Sequence, residues 1–289
     1  MFCRVALLLL VGAIVMQPPA RPSPTSIEQR VAGLVATCRG TLGIAATNLL
    51  TGEQIAVHAD ARFPTASTIK VAVMIEAYHQ AAGGALPFDT TLTLRDEDKV
   101  GGAGVLSDNT ATNLLVGRLG TTRINERLAA YGLTNTKLFR PTFRDGRADV
   151  HPELEREFGL GMTTPREMAR LMALIANGKA VSPDASSAML ATLRRQQDRA
   201  MIPRLLPQRD ALQIGNKTGT DAEKHPAPDG THRHVRGDAA IISGPGLRYV
   251  IAIFARQVED TRRSVENDAV VMAARVSRVI YDHFSVAEK

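Results

Sequence analysis

Phe63-Pro64-Thr65-Ala66-Ser67-Thr68-Ile69-Lys70-Val71-Ala72-Val73-Met74-Ile75 is the stretch that decides how this 289-residue chain folds. From Ser67 to Ala81 the residues are apolar on nearly all sides, which predicts a helix buried at the centre of the molecule. Upstream, Leu42, Ile44 and Ala46 alternate with other residues, Thr51-Gly52 reads as a turn, and Ile55 and Val57 alternate again, so a strand hairpin is expected. Before it, Thr25-Ser26-Ile27-Glu28 has the capping-box pattern, and Ile27, Val31, Leu34 and Val35 follow at helical spacing.

Downstream, Thr164-Pro165-Arg166-Glu167 opens a helix that Gly178 stops, and Ser182-Pro183 opens another. Three strand-like runs follow at 212–218, 239–243 and 249–255, then a long amphipathic helix from about 265 to 284. Strands from both ends therefore build one sheet, and the middle of the chain forms a helical lobe. The stretch 221–233, rich in Pro, Gly and His, reads as a long hairpin loop.

Composition narrows the function. With 44% hydrophobic and 22% charged residues the chain is an ordinary globular protein, neither disordered nor a multi-span membrane protein. Aromatic residues make up 4% with no Trp, so a stacking platform for bases or sugars is not expected. The net charge of +6 is scattered among acids rather than drawn into a stripe, which argues against nucleic acid and leaves a mild bias towards anionic ligands. Residues 1–20 combine a basic start with the apolar run Val5 to Met16, too short to span a bilayer, and read as a signal peptide without a stable membrane anchor. Its removal leaves Cys38 as a lone thiol, expected to be a small buried hydrophobe.

Three short motifs carry chemistry: Ser67-Thr68-Ile69-Lys70, Ser107-Asp108-Asn109 and Lys217-Thr218-Gly219. The first recurs by chance about once in a chain this long, whereas each of the others is expected only about 0.05 times. Ser67 opens the buried helix, where unpaired N–H groups favour developing negative charge. Lys70 lies one turn on, within reach of the Ser67 hydroxyl. It can act as a base only when neutral, so burial and a nearby cation, for which Lys217 is the candidate, must lower its pKa. Ser107 is placed to relay a proton to a leaving nitrogen, and Asn109 and Asn113 share a helix face.

Together with Phe63–Lys70, the runs Ser107-Asp108-Asn109-Thr110-Ala111-Thr112-Asn113-Leu114-Leu115, Lys217-Thr218-Gly219-Thr220, Arg236-Gly237 and Thr163-Thr164-Pro165 closely resemble class A β-lactamases and related serine penicillin-recognising enzymes. The resemblance covers nearly the whole mature chain. It implies an α/β fold of the α+β type, an antiparallel five-stranded sheet flanked by the N- and C-terminal helices, plus an all-helical lobe, with the active site between them. The lobes would be 25–64 with 212–289 and 65–211, inside one domain, 21–289. It also implies Ser67, Lys70, Ser107 and Lys217 as catalytic residues, Asn109 on the substrate amide, and Lys217, Thr218 and Arg236 on its carboxylate. The backbone N–H groups of Ser67 and Thr220 would form the oxyanion hole, worth about 3 kcal/mol per donor. No cofactor and no metal is expected. The implied partner is a small β-lactam or a peptidoglycan stem peptide, and the implied protein is an exported monomer, periplasmic or secreted.

The sequence departs from the family pattern twice. The family's deacylating glutamate has no clean counterpart: aligning on Pro152-Glu153-Leu154 gives His151, counting back from Pro165 gives Ala148, and counting forward from Leu138 gives Thr142. Glu153 is the candidate base if the loop folds differently, with Glu155 and Glu157 as alternatives; Gly161 stands where a neck acid is expected. The second departure is the interval from Ser67 to Ser107, shorter than the family's by roughly one helix and its loop. It runs through the glycine-rich Gly101–Gly104, read as a flexible loop.

His225, His232 and His234 with Asp221 and Asp229 match no zinc spacing and read as a solvated loop, while His58, His79 and His283 read as structural. The first functional reading is an exported serine hydrolase that opens the β-lactam ring through a Ser67 acyl-enzyme. The alternatives are a penicillin-binding DD-peptidase using the same nucleophile and a catalytically silent relative that retains the fold.

Overall fold

The computed structural model describes residues 26–93, 109–142, 146–209 and 211–286. The signal-peptide stretch, Gly101–Gly104, Ser107 and Asp108 lie outside the described residues. Helix α1 (Ile27–Val35) leads into the hairpin β1 (Thr41–Asn48) and β2 (Gln54–Val57). Its cap is Ser26, whose hydroxyl accepts from Gln29 N while the Gln29 side chain reaches back to Ser26 N. The box thus sits one residue later than Thr25 and Glu28 suggest, because Gln29 fills the third helical position as well as a glutamate does.

Strands β6 (Gln213–Ala222), β7 (His234–Gly244) and β8 (Leu247–Val258) complete a five-stranded antiparallel sheet in the order β2-β1-β8-β7-β6. These strands run longer than the apolar runs that announce them, since their polar ends pair across the ladder without needing a core. Both faces are covered. Ile251, Ile253, Ala240 and Ile242 pack with Val31 of α1 and with Ala273, Val276 and Phe284 of α8 (Asp268–Val286). Val250, Ala252, Phe254, Ala239 and Ile241 pack the other way, with Ile69, Met168, Leu171 and Met172. The period-2 pleat divides the two cores, so β8 reads as an unbroken apolar run. Each fully buried Ile or Phe contributes about 1.5–3 kcal/mol.

The second face carries α2 (Lys70–Ala82), α3 (Asn109–Leu119), α4 (Thr121–Ala130), α5 (Pro152–Phe158), α6 (Pro165–Ala176) and α7 (Pro183–Arg194). Thr164 and Ser182 cap α6 and α7 as expected, their hydroxyls accepting from Glu167 N and Ala185 N. A small second sheet, β3 (Phe63–Pro64), β5 (Gly161–Thr163) and β4 (Lys137–Leu138), joins the approach to Ser67 with both ends of the 139–160 loop. Sequence periodicity cannot find strands of two or three residues. Gly161 earns its place there: a Cβ would stand 2.5 Å from the Lys137 carbonyl oxygen and 2.8 Å from Thr65 Oγ1. No helix among the described residues is long and apolar enough to cross a membrane.

Candidate active site

Ser67 sits in a 3-10 turn, Ala66–Ile69, and Lys70 is the first residue of α2. The buried helix therefore begins three residues later than its composition suggests, and the tighter turn eclipses Ser67 with Lys70. Ala66 holds a left-handed backbone at φ +43°, a strain of about 1–3 kcal/mol. Three contacts of the neighbouring Thr65 fix the turn: its N–H donates to the Gly161 carbonyl at 2.9 Å, and its carbonyl accepts from Thr68 N at 3.1 Å and from Thr68 Oγ1 at 2.7 Å. Strand β6 closes over the turn at Gly219, where a Cβ would come within 2.8 Å of the Thr65 oxygen and 3.0 Å of Ser67 N. Only glycine lets the Lys217-Thr218-Gly219 strand approach the backbone of Ser67 this closely.

Lys70 Nζ donates to Asn109 Oδ1 at 2.6 Å, so the first helix of the Ser67 motif and the start of α3 meet side chain to side chain. One turn along α3, Asn113 is buried and clamps the backbone of Thr142: its Nδ2 donates to Thr142 O at 3.2 Å and its Oδ1 accepts from Thr142 N at 2.8 Å. The cleft that results, of about 160 Å³, is lined by Ala66, Ser67, Asn109, Arg140, Thr142, Leu160, Thr220 and Asp221. The Thr142 hydroxyl is buried and without a hydrogen-bond partner among the described residues. Of the three sequence anchors for the missing glutamate, counting forward from Leu138 lands on a residue that lines the cleft with Ser67.

The glutamates of α5 go elsewhere. Glu153 is exposed and pairs with His151 at 3.5 Å, and the exposed Glu157 pairs with Arg256 at 3.7 Å. Glu155 is buried and committed to Arg140 Nε at 2.9 Å, with Lys224 Nζ at 3.8 Å. This ion pair is the one that braces the loop; no sequence spacing announces it.

Lys217 donates from Nζ to the Thr218 carbonyl at 2.7 Å. Burial pulls its ammonium down to about 8, against the pull of Asp238 and Asp198. Asp238, which sequence reasoning passes over, is fully buried on β7 in register with Thr218. Burial pushes its carboxyl up to about 7, although it accepts from Asn216 Nδ2 at 3.0 Å and from Ile202 N at 3.0 Å. The signal available was a single Asp inside the apolar run 239–243 extended by one residue.

Arg236 stands in register with Thr220, and its guanidinium donates to the Val235 and Arg262 carbonyls and to His234 Nδ1. The expectation that His234 belongs to a solvated loop is corrected here: it is a buried residue of β7. His232 and His225 do lie in the 223–233 connection, and no group of three or more His, Cys, Asp or Glu side chains able to hold a metal occurs among the described residues. Cys38 is half-buried rather than buried, its thiol pushed up to about 11 chiefly by desolvation.

The family model described as beta-lactamase enzyme family matches residues 26–107 and 105–284. Among solved structures the chain is similar to a β-lactamase from Sphaerobacter thermophilus, at 27% identity over 89% of this chain and 97% of that one, TM-score 0.73. It is equally similar to PBP-A, at 27% identity over 94% and 100%, TM-score 0.74. A PBP-A mutant solved as an acyl-enzyme complex with penicillin G is 28% identical over 93% and 100%, TM-score 0.73. An ancestral class A β-lactamase is 25% identical over 90% and 100%, TM-score 0.73. A search of curated proteins gives no match.

Proposed function

Since the chain belongs to the beta-lactamase enzyme family, we propose that it is an exported serine hydrolase that opens the β-lactam ring of penicillin-type antibiotics through an acyl-enzyme on Ser67. The observation that carries this reading is the convergence of Ser67, Asn109 and Thr220 on one cleft, with Lys70 Nζ 2.6 Å from Asn109 Oδ1. Lys70 in its neutral form takes the Ser67 proton as Oγ attacks the lactam carbonyl carbon. The N–H groups of Ser67 and Thr220 hold the oxyanion, a role that the close approach of Gly219, the neighbour of Thr220, to Ser67 N supports. Ser107 passes a proton to the ring nitrogen as the C–N bond breaks. Lys217, Thr218 and Arg236 receive the substrate carboxylate, and the Asn109 amide orients the acyl side chain. Glu153 is the least favoured deacylation base, because its carboxylate is exposed and paired with His151. The same reading takes 21–289 as one monomeric domain, with an α/β lobe of 25–64 and 212–289 and a helical lobe of 65–211, exported by residues 1–20.

A second reading, a DD-peptidase on peptidoglycan stem peptides that β-lactams acylate and block, is favoured by one feature. Thr142 lines the cleft with Ser67, and none of the described residues that line it is a glutamate. PBP-A, similar over its whole length, was captured as a penicillin G acyl-enzyme. Time-resolved intact mass of the mature protein with penicillin G, alongside Ser67→Ala, separates these. A Ser67-dependent adduct that clears within seconds as product accumulates establishes the hydrolase. An adduct that persists for hours moves the assignment to the peptidase, and no adduct at all refutes both and leaves the silent relative.

A further inference from the structure

His234 and Arg236 are two residues apart on β7, with a bulge between them that shifts the register against β8 from Val258 at His234 to Ala255 at Arg236. Their side chains meet: Arg236 Nη2 lies 2.9 Å from His234 Nδ1. A guanidinium only donates, so the ring nitrogen must accept, and the imidazole is held neutral with its proton on Nε2. Nη2 also donates to the Arg262 carbonyl at 2.9 Å and Nη1 to the Val235 carbonyl at 3.0 Å. Two carbonyls and one imidazole thus fix a guanidinium that is only 3% exposed, beside a histidine 9% exposed. Among the described residues no carboxylate forms an ion pair with it, and its register partner on β6 is Thr220, a residue of the cleft.

We propose that His234 is a positioning residue for substrate-carboxylate recognition: its neutral ring holds Arg236 in place at the β6 edge, and protonation of that ring releases it. The proposal rests on the reading that Arg236 receives the substrate carboxylate. Once protonated, the ring loses its acceptor lone pair and sets a cation against the guanidinium. Burial above all, then the charges of Arg236 and Arg263, disfavours the ring's cation, and Asp260 favours it. The strand partners Ala222 and Val258 bring no charge.

The test is the second-order rate of Ser67 acylation by penicillin G, and by its methyl ester, between pH 5 and 8. Neutral Lys70 is needed for both substrates, so the quantity read is the ratio of the penicillin G rate to the ester rate. In the unaltered protein that ratio should show an acid limb below the ordinary imidazole value of 6.5. His234→Phe should lower the penicillin G rate about tenfold at pH 7.5, the scale of one lost charge-assisted hydrogen bond. His234→Asn, whose Oδ1 can accept where Nδ1 did, should restore the rate and abolish the acid limb. If Arg236→Ala leaves the penicillin G rate unchanged, the carboxylate reading itself is wrong. If Arg236→Ala slows it but His234→Asn keeps the acid limb, His234 has no such role. Should His234→Phe not fold, the His234→Asn profile decides alone.

Discussion

Single atoms decide the chemistry at the nucleophile. Gly219 has no Cβ, and any larger residue would press on Thr65 O and Ser67 N at 2.8 and 3.0 Å. Gly219→Ala should therefore leave a folded protein whose Ser67 N–H is displaced from the oxyanion position. The acylation rate should drop about 100-fold, the range found for one oxyanion donor, as measured by adduct mass against time. Thr142 is the complementary case. Its backbone is clamped by Asn113, and the residue lines the cleft. Supplying a carboxylate there by Thr142→Glu should speed clearing of a penicillin adduct by about 100-fold or more, the usual gain from a general base. A variant adduct as long-lived as the parent's would show that the clamp points the residue away from the acyl carbon.

At the scale of elements, two devices add to the Asn113 clamp in holding the 139–160 loop. The short β3-β5-β4 sheet ties its ends to the strand before Ser67, and the Arg140–Glu155 pair ties its middle to a cleft residue. Removing one partner of a buried ion pair costs about 3–5 kcal/mol. Glu155→Ala should lose stability on that scale in denaturant titration, whereas Glu153→Ala and Glu157→Ala, on the solvent side, should shift it by less than about 1 kcal/mol. The caps follow the same logic from the sequence side. Thr164 and Ser182 act at the positions their Pro neighbours announce, while Ser26 rather than Thr25 caps α1 because the partner side chain is Gln29.

For the molecule as a whole, a fully buried acid under the sheet makes stability depend on pH. The Asp238 carboxyl titrates near 7 in the folded protein against 3.8 when solvated. Between those values the native state keeps a proton that the unfolded chain has lost. Its contribution is therefore present in full below 3.8 and is lost as pH rises through 7. The slope within that window is about 1.4 kcal/mol per pH unit. Asp238→Asn should remove it, flattening the unfolding free energy between pH 4.5 and 6.5 relative to the parent. An unchanged slope would assign the pH dependence to other groups.

The sequence by itself determined that strands from both ends of the chain join one sheet, because the hairpin at 42–57 and the runs at 212–218, 239–243 and 249–255 have the patterning of strands; the strand order came from the structure. It also picked out the candidate site: Ser67, Lys70, Asn109 and Lys217-Thr218-Gly219-Thr220 are local motifs whose residue types suggest their chemistry. The tertiary structure alone decided which of the three anchors reaches the cleft, since they pointed to His151, Ala148 and Thr142 with equal right and only Thr142 lines it. Only the Asn113 clamp, formed between residues 29 apart, selects Thr142. It alone revealed Asp238 beneath Thr218, the Arg140–Glu155 brace and the His234–Arg236 contact. Each of these depends on strand register or loop closure. A periodicity of two or of 3.6 fixes which face a residue takes within its own element, but not which side chain of another element meets it there.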